Sequence, residues 1–574
     1  MKREETLARI RENPEVSVLI IGGGINGLGT FRDLTLQGID VLLVERADFC
    51  SGASAASSHM VHGGIRYLEN GEFRLVNEAV KERNRLIENA PHYVRPLPTT
   101  IPIFKRFSGM LNAPLKFLGL LDRPGERGAL VIKMGLIMYD RYTADQGTVP
   151  KHTFLGRQES LQEYPKLNPD IINTATYYDG AMPSPERIAI EVMLDGLEAG
   201  EHAQALNYVS AVDADGDTVT LRDELTGADL TVQPKLVINA AGPWIDFANQ
   251  RLGLDTKMIG GTKGSHIVLD HPELYEATKE HEFFFENDDG RIVLIFPVAK
   301  DRLIVGTTDI PIDDPDQARC TEEEIDYFFD FIKFIFPDIA VDRSQIVYQF
   351  SGVRPLPASD AKTAGQISRD HENRIVEPSA GLNFPIFNLI GGKWTSFRAF
   401  SEHVADDALA RLGRSRKLDT RHRPIGGGRD YPSSEAAQTA WVEATAQATG
   451  VPATRIRELF DRYGTRAQSV AEYIAQGEDR PLAGKPDYSV REIEFITQDE
   501  HVVHLGDFFQ RRSLLAMMGH LSHPLVVEVA AVIGRTLGWS DAQRQQEVDD
   551  FLALLAEQHG VGLKADTGES VTTD

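Results

Sequence analysis

Two sets of residues in this 574-residue chain have types and spacing that suit chemistry. The first is Gly22-Gly23-Gly24-Ile25-Asn26-Gly27, reached at the end of the apolar run Val16–Gly22. Gly22 permits a tight turn after a strand, Gly24 lets backbone approach a pyrophosphate, and Gly27 allows close helix–strand packing. The helix that follows presents unpaired N–H groups to the anion. Glu45 lies about 20 residues on, where a carboxylate accepts hydrogen bonds from ribose hydroxyls. The second set is made of bases and cations. His62, followed by Gly63-Gly64, is an imidazole that can take a proton near neutral pH with room for a ligand beside it, and His266 is the alternative base. Arg66 and Arg354 offer bidentate forks for oxyanions and Lys393 a point charge. Tyr67 either hydrogen-bonds the same anion or packs, and Thr308-Asp309 either lines a pocket or makes a turn.

These residues need elements to hold them. Val16–Gly22 reads as a strand, followed by a helix and a second strand ending at Glu45. Leu236–Gly242 is a further apolar strand closing in small residues, which let backbone approach a ligand. Short β runs at His266–Leu269, Ile292–Phe296, Leu303–Val305 and Ile346–Phe350 alternate with Asp, Gly and Pro turns, the pattern of an antiparallel sheet. Ile386–Ile390 then meets Gly391-Gly392-Lys393-Trp394-Thr395-Ser396, again a strand, a glycine turn and a helix start expected at Gly392–Thr395. Nucleotide-domain strands that recur around an inserted sheet suit FAD better than NAD. The extended cofactor threads through the domain, the first turn meeting the pyrophosphate, the middle one the ribityl chain and the last the isoalloxazine. A helix N-terminus there stabilises the negative charge that a reduced flavin develops.

Composition narrows the field. With 42% apolar and 25% charged residues the chain reads as an ordinary folded protein of two or three domains. A net charge of −25 argues against a dedicated nucleic-acid binder. Cys50 and Cys320 are too few for a disulfide framework or a cysteine-rich metal site, so no metal and a reducing compartment are expected. The N-terminus shows no secretory signal. The apolar run Leu514–Gly534, broken by His520, His523, Pro524 and Glu528, reads as two packed helices rather than a membrane span. Ile456, Leu459, Phe460 and Tyr463, and again Val548, Phe551, Leu552 and Leu555, recur at helical spacing near the C-terminus.

The stretch Ser57-Ser58-His59-Met60-Val61-His62-Gly63-Gly64-Ile65-Arg66-Tyr67-Leu68 is specific. So are Gly242-Pro243-Trp244, Lys263-Gly264-Ser265-His266, Gly306-Thr307-Thr308-Asp309, Ser351-Gly352-Val353-Arg354-Pro355 and Gly391-Gly392-Lys393. In order and spacing they resemble the FAD-dependent glycerol-3-phosphate dehydrogenase family, and the C-terminal helices are similar to that family's cap. The resemblance implies oxidation of sn-glycerol 3-phosphate to dihydroxyacetone phosphate, with electrons passed to membrane quinone. Oxygen as acceptor, and another flavoprotein oxidase of the amine and hydroxy-acid group acting on a carboxylate, are the alternatives. His62, Arg66, Tyr67, His266, Thr308, Arg354 and Lys393 are then the catalytic set. The FAD set begins with Gly22, Gly24, Ile25, Asn26, Gly27, Glu45 and Arg46 and continues through Ser57, Ser58, Gly63 and Gly64. It takes in Val209, Ala240, Gly242 and Trp244, and closes with Gly352, Arg354, Gly391, Gly392, Lys393, Trp394 and Thr395. Two positions depart from the family pattern. His59 stands where a Lys is usual, and Ala53 where a Thr is usual, which removes a hydroxyl from the turn after Glu45.

The fold expected is α/β plus α: a discontinuous Rossmann-like FAD-binding domain, an antiparallel-sheet substrate domain and a C-terminal helical domain. The FAD-binding part takes 1–100, 165–255 and 345–420, and the substrate part 101–164 and 256–344. A linker at 421–433 leads to helices over 434–562 and a disordered tail at 563–574. Residues 105–141 carry seven basic against three acidic residues, interleaved with Phe104, Phe107, Met110, Leu111, Leu115, Phe117, Leu118, Leu120 and Leu121. Such a mixture suits docking on an anionic bilayer, so 104–141 is the candidate docking segment of a cytoplasmic protein held at the membrane's inner face. A homodimer is also expected, and no nucleic-acid partner.

Overall fold

A computed structural model describes residues 3–65, 72–104, 129–143, 148–286, 292–358, 370–379 and 381–563. The chain divides into two compact units, one of Met1–Ile346 with Phe350–Arg423, the other of Val347–Gln349 with Pro424–Asp574.

The first unit is built on two sheets. One has the strand order Glu372–Val376, Ile386–Ile390, Asp229–Asn239, Glu15–Ile21, Val41–Glu45, Ala203–Asn207, parallel along this order except for the first pair, and Thr218–Asp223 and Val209–Asp215 extend Asp229–Asn239 with antiparallel pairs. Parallel strands covered on both faces read as continuous apolar runs, and Val18, Leu19 and Ile20 are all fully buried. Each such side chain contributes about 1.5–3 kcal/mol by leaving water. The helix Ile25–Leu36 packs on this sheet and against helices Pro185–Leu197 and Phe397–Arg411. The three strands expected from sequence at residues 16, 236 and 386 are thus side by side.

The second sheet has ten strands, including all four short β runs expected between 260 and 350. Most of its pairs are antiparallel, and Glu282–Glu286 lies parallel beside Arg95–Ile103. Strands Met60–Val61, Arg95–Ile103 and Asn173–Ala181 pair in this sheet, although most of their residues fall by number in the part assigned above to FAD. Alternating pattern identifies a strand but not its partner.

The second unit is helical. Ile456, Leu459, Phe460 and Tyr463 form the buried face of Ala453–Tyr463, and Val548, Phe551 and Leu555 that of Asp541–His559. The expected pair of helices over Leu514–Gly534 is a single helix, His523–Leu537, opened by the Ser522 cap and Pro524. Leu514–Gly519 is a run of turns, since Pro524 excludes a helix passing through it. Among the described residues no helix is long and apolar enough to cross a membrane. The tail beyond residue 563 lies outside the described residues.

Candidate active site

Gly22 leaves its strand at φ +113°, a left-handed conformation that favours glycine, and a Cβ there would stand 2.6 Å from the Ala240 carbonyl oxygen. A Cβ on Gly27 would lie 2.0 Å from the Gly22 oxygen, so only glycine lets the helix start this close to the strand. Gly24 precedes the first helical residue, and the Ile25 N–H donates to Ser54 Oγ at 2.9 Å. Glu45 receives N–H bonds from Gly23 at 2.6 Å and Ala47 at 3.0 Å, while burial raises its pKa. The adjacent Tyr208 N–H donates to the Ala47 oxygen, which brings the strand opened by Val209 beside this turn. Ala240 follows the central strand, its N–H donating to the Ile21 oxygen.

A second turn closes on the first. Gly391 and Gly392 take φ +71° and +93°, and a Cβ on Gly392 would meet Asn26 Nδ2 at 2.6 Å. Asn26 donates to the Gly391 oxygen at 3.4 Å, while its own Oδ1 is buried without a hydrogen-bond partner among the described residues. Trp394 Nε1 donates to the Ser54 oxygen at 2.8 Å. The helix expected at Gly392–Thr395 starts later, at Phe397, with Trp394–Ser396 forming a turn before it. Ser54 supplies a hydroxyl beside Ala53, so the turn after Glu45 keeps one despite the missing Thr. Turns at Gly22, Gly27 and Gly392 that no Cβ fits, and the N-terminus of the helix Ile25–Leu36 between them, suit a pyrophosphate-linked cofactor, and the buried Asn26 Oδ1 offers an acceptor to a donor group elsewhere on it.

The imidazole loop joins this cleft through Thr395. The His62 N–H donates to Thr395 Oγ1 at 3.0 Å, and the same hydroxyl donates back to the His62 oxygen at 3.2 Å. Ser58 Oγ and His266 Nε2 are hydrogen-bonded at 2.9 Å, and His266 stacks on Phe350 with centroids 4.8 Å apart. Ser57 Oγ accepts the His59 N–H at 3.3 Å. Burial first, then the charge of Arg354 and neighbouring His59, hold His266 well below the usual histidine range. His266 is therefore a neutral hydrogen-bonding ring. His59 is fully buried at φ +54°, donates from Nδ1 to the Pro183 oxygen at 2.8 Å, and is pushed down to about 4 by burial. The residue standing in place of the usual Lys is thus uncharged at neutral pH.

Arg354 closes the far side. Its guanidinium donates to Thr307 Oγ1 at 3.0 Å and to the Thr308 carbonyl at 3.1 Å, and pairs with Asp309 at 3.3 Å. A Cβ on Gly352 would lie 2.3 Å from that of Ala56, so this strand is pressed onto the loop leading to Ser58. The Thr308 hydroxyl is committed elsewhere, donating to Glu324 Oε1 at 2.5 Å and accepting the Ser265 N–H at 3.1 Å. What it offers the site is its carbonyl. The Lys393 ammonium nitrogen is buried beside the second turn. Arg46 and Trp244 stack at 4.6 Å and share Asp316, on a half-exposed surface. Gly242, at φ +56°, begins the short helix carrying Trp244. Arg66 and Tyr67 lie outside the described residues.

Sequence reasoning missed Ser54, Glu324 and Asp179. Asp179 Oδ1 accepts the Gly63 N–H at 2.9 Å and fixes the loop from behind. Gly64, at φ +73°, turns the chain away from it.

The two glycine turns, the acid at the end of the second strand and the imidazole loop beside them define an FAD-dependent oxidoreductase. A family model described as "FAD dependent oxidoreductase" matches residues 17–381, and one described as "C-terminal domain of alpha-glycerophosphate oxidase" matches 418–544. A glycerol-3-phosphate dehydrogenase of Synechocystis is 32% identical over 567 residues, covering 94% of this chain and 96% of its own. An aerobic glycerol-3-phosphate dehydrogenase of Staphylococcus haemolyticus is 32% identical over 525 residues, covering 89% and 88%. The crystal structure of a Bacillus halodurans glycerol-3-phosphate dehydrogenase complexed with FAD has the same fold, with a TM-score of 0.74 at 23% identity over 97% of each chain. The chain belongs to the FAD-dependent glycerol-3-phosphate dehydrogenase family.

Proposed function

We propose that the protein oxidises sn-glycerol 3-phosphate to dihydroxyacetone phosphate and passes the electrons to a membrane quinone. The observation that carries the reading is the clamp between His62 and Thr395, which ties a proton-accepting loop to the turn assigned to the isoalloxazine. Bound FAD supplies the acceptor for the hydride that leaves carbon 2 of the substrate. His62 takes the hydroxyl proton as that carbon is oxidised. Arg354, held in plane by Thr307, Thr308 and Asp309, takes the phosphate in bidentate fashion, and Lys393 adds charge from the second turn. Arg66 and Tyr67, four and five residues beyond His62, are assigned to the same phosphate. His266, bonded to Ser58 and stacked on Phe350, lines the same pocket as the alternative base.

Docking at a bilayer is the companion proposal. Of the segment 104–141, residues 105–128 lie outside the described part. On the helix Ala129–Thr143, however, Met134 and Ile137 are 60% and 54% exposed beside Met138, and Lys133 and Arg141 share the exposed surface. An apolar face edged with cations suits an anionic membrane. Oxygen as the acceptor is the second reading, favoured by the match of residues 418–544 to an oxidase's C-terminal domain. Reoxidising the substrate-reduced enzyme with a quinone analogue and, separately, with oxygen decides between them. Fast reaction with the quinone and slow reaction with oxygen supports the dehydrogenase, and the reverse order the oxidase.

A further inference from the structure

The peptide that joins His62 to Gly63 is held from two opposite parts of the molecule. Thr395 bonds the N–H and the carbonyl of His62, as described. The Gly63 N–H points the other way, into a buried polar cluster, where it donates to Asp179 Oδ1 at 2.9 Å and to the Tyr139 hydroxyl at 3.1 Å. Tyr139 in turn donates to Asp179 at 2.5 Å and accepts from Arg83 Nη1 at 2.8 Å. Arg83 also donates to the Tyr178 carbonyl at 2.7 Å and to Asn84 Oδ1, and it faces Asp179 at 3.4 Å. Arg83 and Asp179 have side chains 0% and 1% exposed. Burial keeps the Tyr139 phenol protonated, so it stays a donor to the carboxylate.

Two separate elements thus accept one amide hydrogen, the helix Ala129–Thr143 with Tyr139 and the strand Asn173–Ala181 with Asp179, and a third, the helix Phe73–Asn89, braces both acceptors with Arg83. The fit is tight. A Cβ on Gly63 would stand 2.2 Å from the Tyr139 hydroxyl and 2.6 Å from Val80, so only glycine fits at this point of the loop. The same strand aligns the approach to the loop, pairing Gly180 with Val61 and Ala181 with Met60. A buried ion pair is a poor device for stability, because desolvation offsets most of its attraction. Its geometric effect is more direct, since a fully satisfied polar cluster admits one arrangement.

We infer that Asp179, braced by Arg83 and Tyr139, is a positioning residue for proton abstraction: by holding the Gly63 N–H it fixes the peptide from which the His62 imidazole reaches the substrate hydroxyl. The inference rests on the proposed role of His62 in glycerol 3-phosphate oxidation. Asp179 is buried behind the loop and acts through the 62–63 peptide. Small displacements of a reacting group lower rates steeply, a misplacement near 1 Å being worth about a hundredfold.

The test uses the FAD-loaded full chain and the variants Tyr139→Phe and Asp179→Asn, with stopped-flow reduction by glycerol 3-phosphate under anaerobic conditions across a pH series. Flavin content, the visible spectrum and the apparent substrate dissociation constant should stay within about twofold of the parent, while the limiting reduction rate falls about tenfold or more. The loss should appear at every pH of the series, because the same imidazole still takes the proton from a poorer position. Parent-like limiting rates across the series, with only a lower melting temperature, overturn the inference and leave the cluster as core. If Asp179→Asn does not fold, Tyr139→Phe decides alone, since it removes one hydroxyl and no charge. A parent enzyme that glycerol 3-phosphate does not reduce fails the functional reading itself and takes this inference with it.

Discussion

Thr395 and His62 hold each other in both directions, one hydroxyl accepting the His62 N–H at 3.0 Å and donating to the His62 carbonyl at 3.2 Å. The two residues are 333 positions apart in the chain. Their contact ties the second glycine turn to the loop that carries His62. Replacing Thr395 with Val keeps the shape and removes both bonds. The limiting rate of flavin reduction should fall about tenfold with little change in bound FAD. Stopped-flow reduction measures it, and an unaltered rate would mean the loop is placed by something else.

Arg354 has a different task. Alanine there should weaken glycerol 3-phosphate binding about a hundredfold, through loss of charge-assisted hydrogen bonds, and leave FAD in place. Substrate titration of the yellow protein reads both quantities. Unchanged affinity would remove Arg354 from the phosphate.

Gly63→Ala tests the seat of the loop. The added methyl meets Tyr139 and Val80 at distances no side chain tolerates, so a loss of about 1–3 kcal/mol is expected from overpacking. Urea unfolding monitored by circular dichroism gives the value. A change below about 0.5 kcal/mol would show that the cluster relaxes freely.

Buried His59 supplies a pH dependence. Burial holds its imidazole at about 4, against 6.5 for an ordinary histidine. Between those values the unfolded chain binds the proton and the folded chain does not. Stability is therefore intact above the ordinary value and falls as pH drops through the window, by about 3 kcal/mol for the full shift. His59→Gln should flatten this part of the stability–pH curve. Equal slopes for parent and variant would assign the acid sensitivity to other groups.

How much of this was legible depends on the range of the contacts. Gly22, Gly27 and Glu45 could be read because a strand, a turn and a helix within one short stretch dictate them. The four β runs and the buried faces of Ala453–Tyr463 and Asp541–His559 were legible for the same local reason. Asp179 was not, since nothing in an ordinary strand run marks the residue that meets Gly63 from 116 positions away. Pairing in a sheet is equally nonlocal, and no local pattern shows that Asn173–Ala181 pairs with Arg95–Ile103 and Met60–Val61. His266 shows the limit for side-chain chemistry. Its residue type is plain in the sequence, and only the fold shows it buried, stacked on Phe350 and bonded to Ser58. Pro524 was visible, yet a capped helix beginning at His523 replaced two expected helices.

The most direct test of the central claim is the anaerobic addition of glycerol 3-phosphate to the purified, FAD-loaded protein, followed at the flavin's visible absorption. The flavin should bleach to its reduced form, with dihydroxyacetone phosphate appearing in equal amount. A flavin that stays yellow with glycerol 3-phosphate would contradict the account.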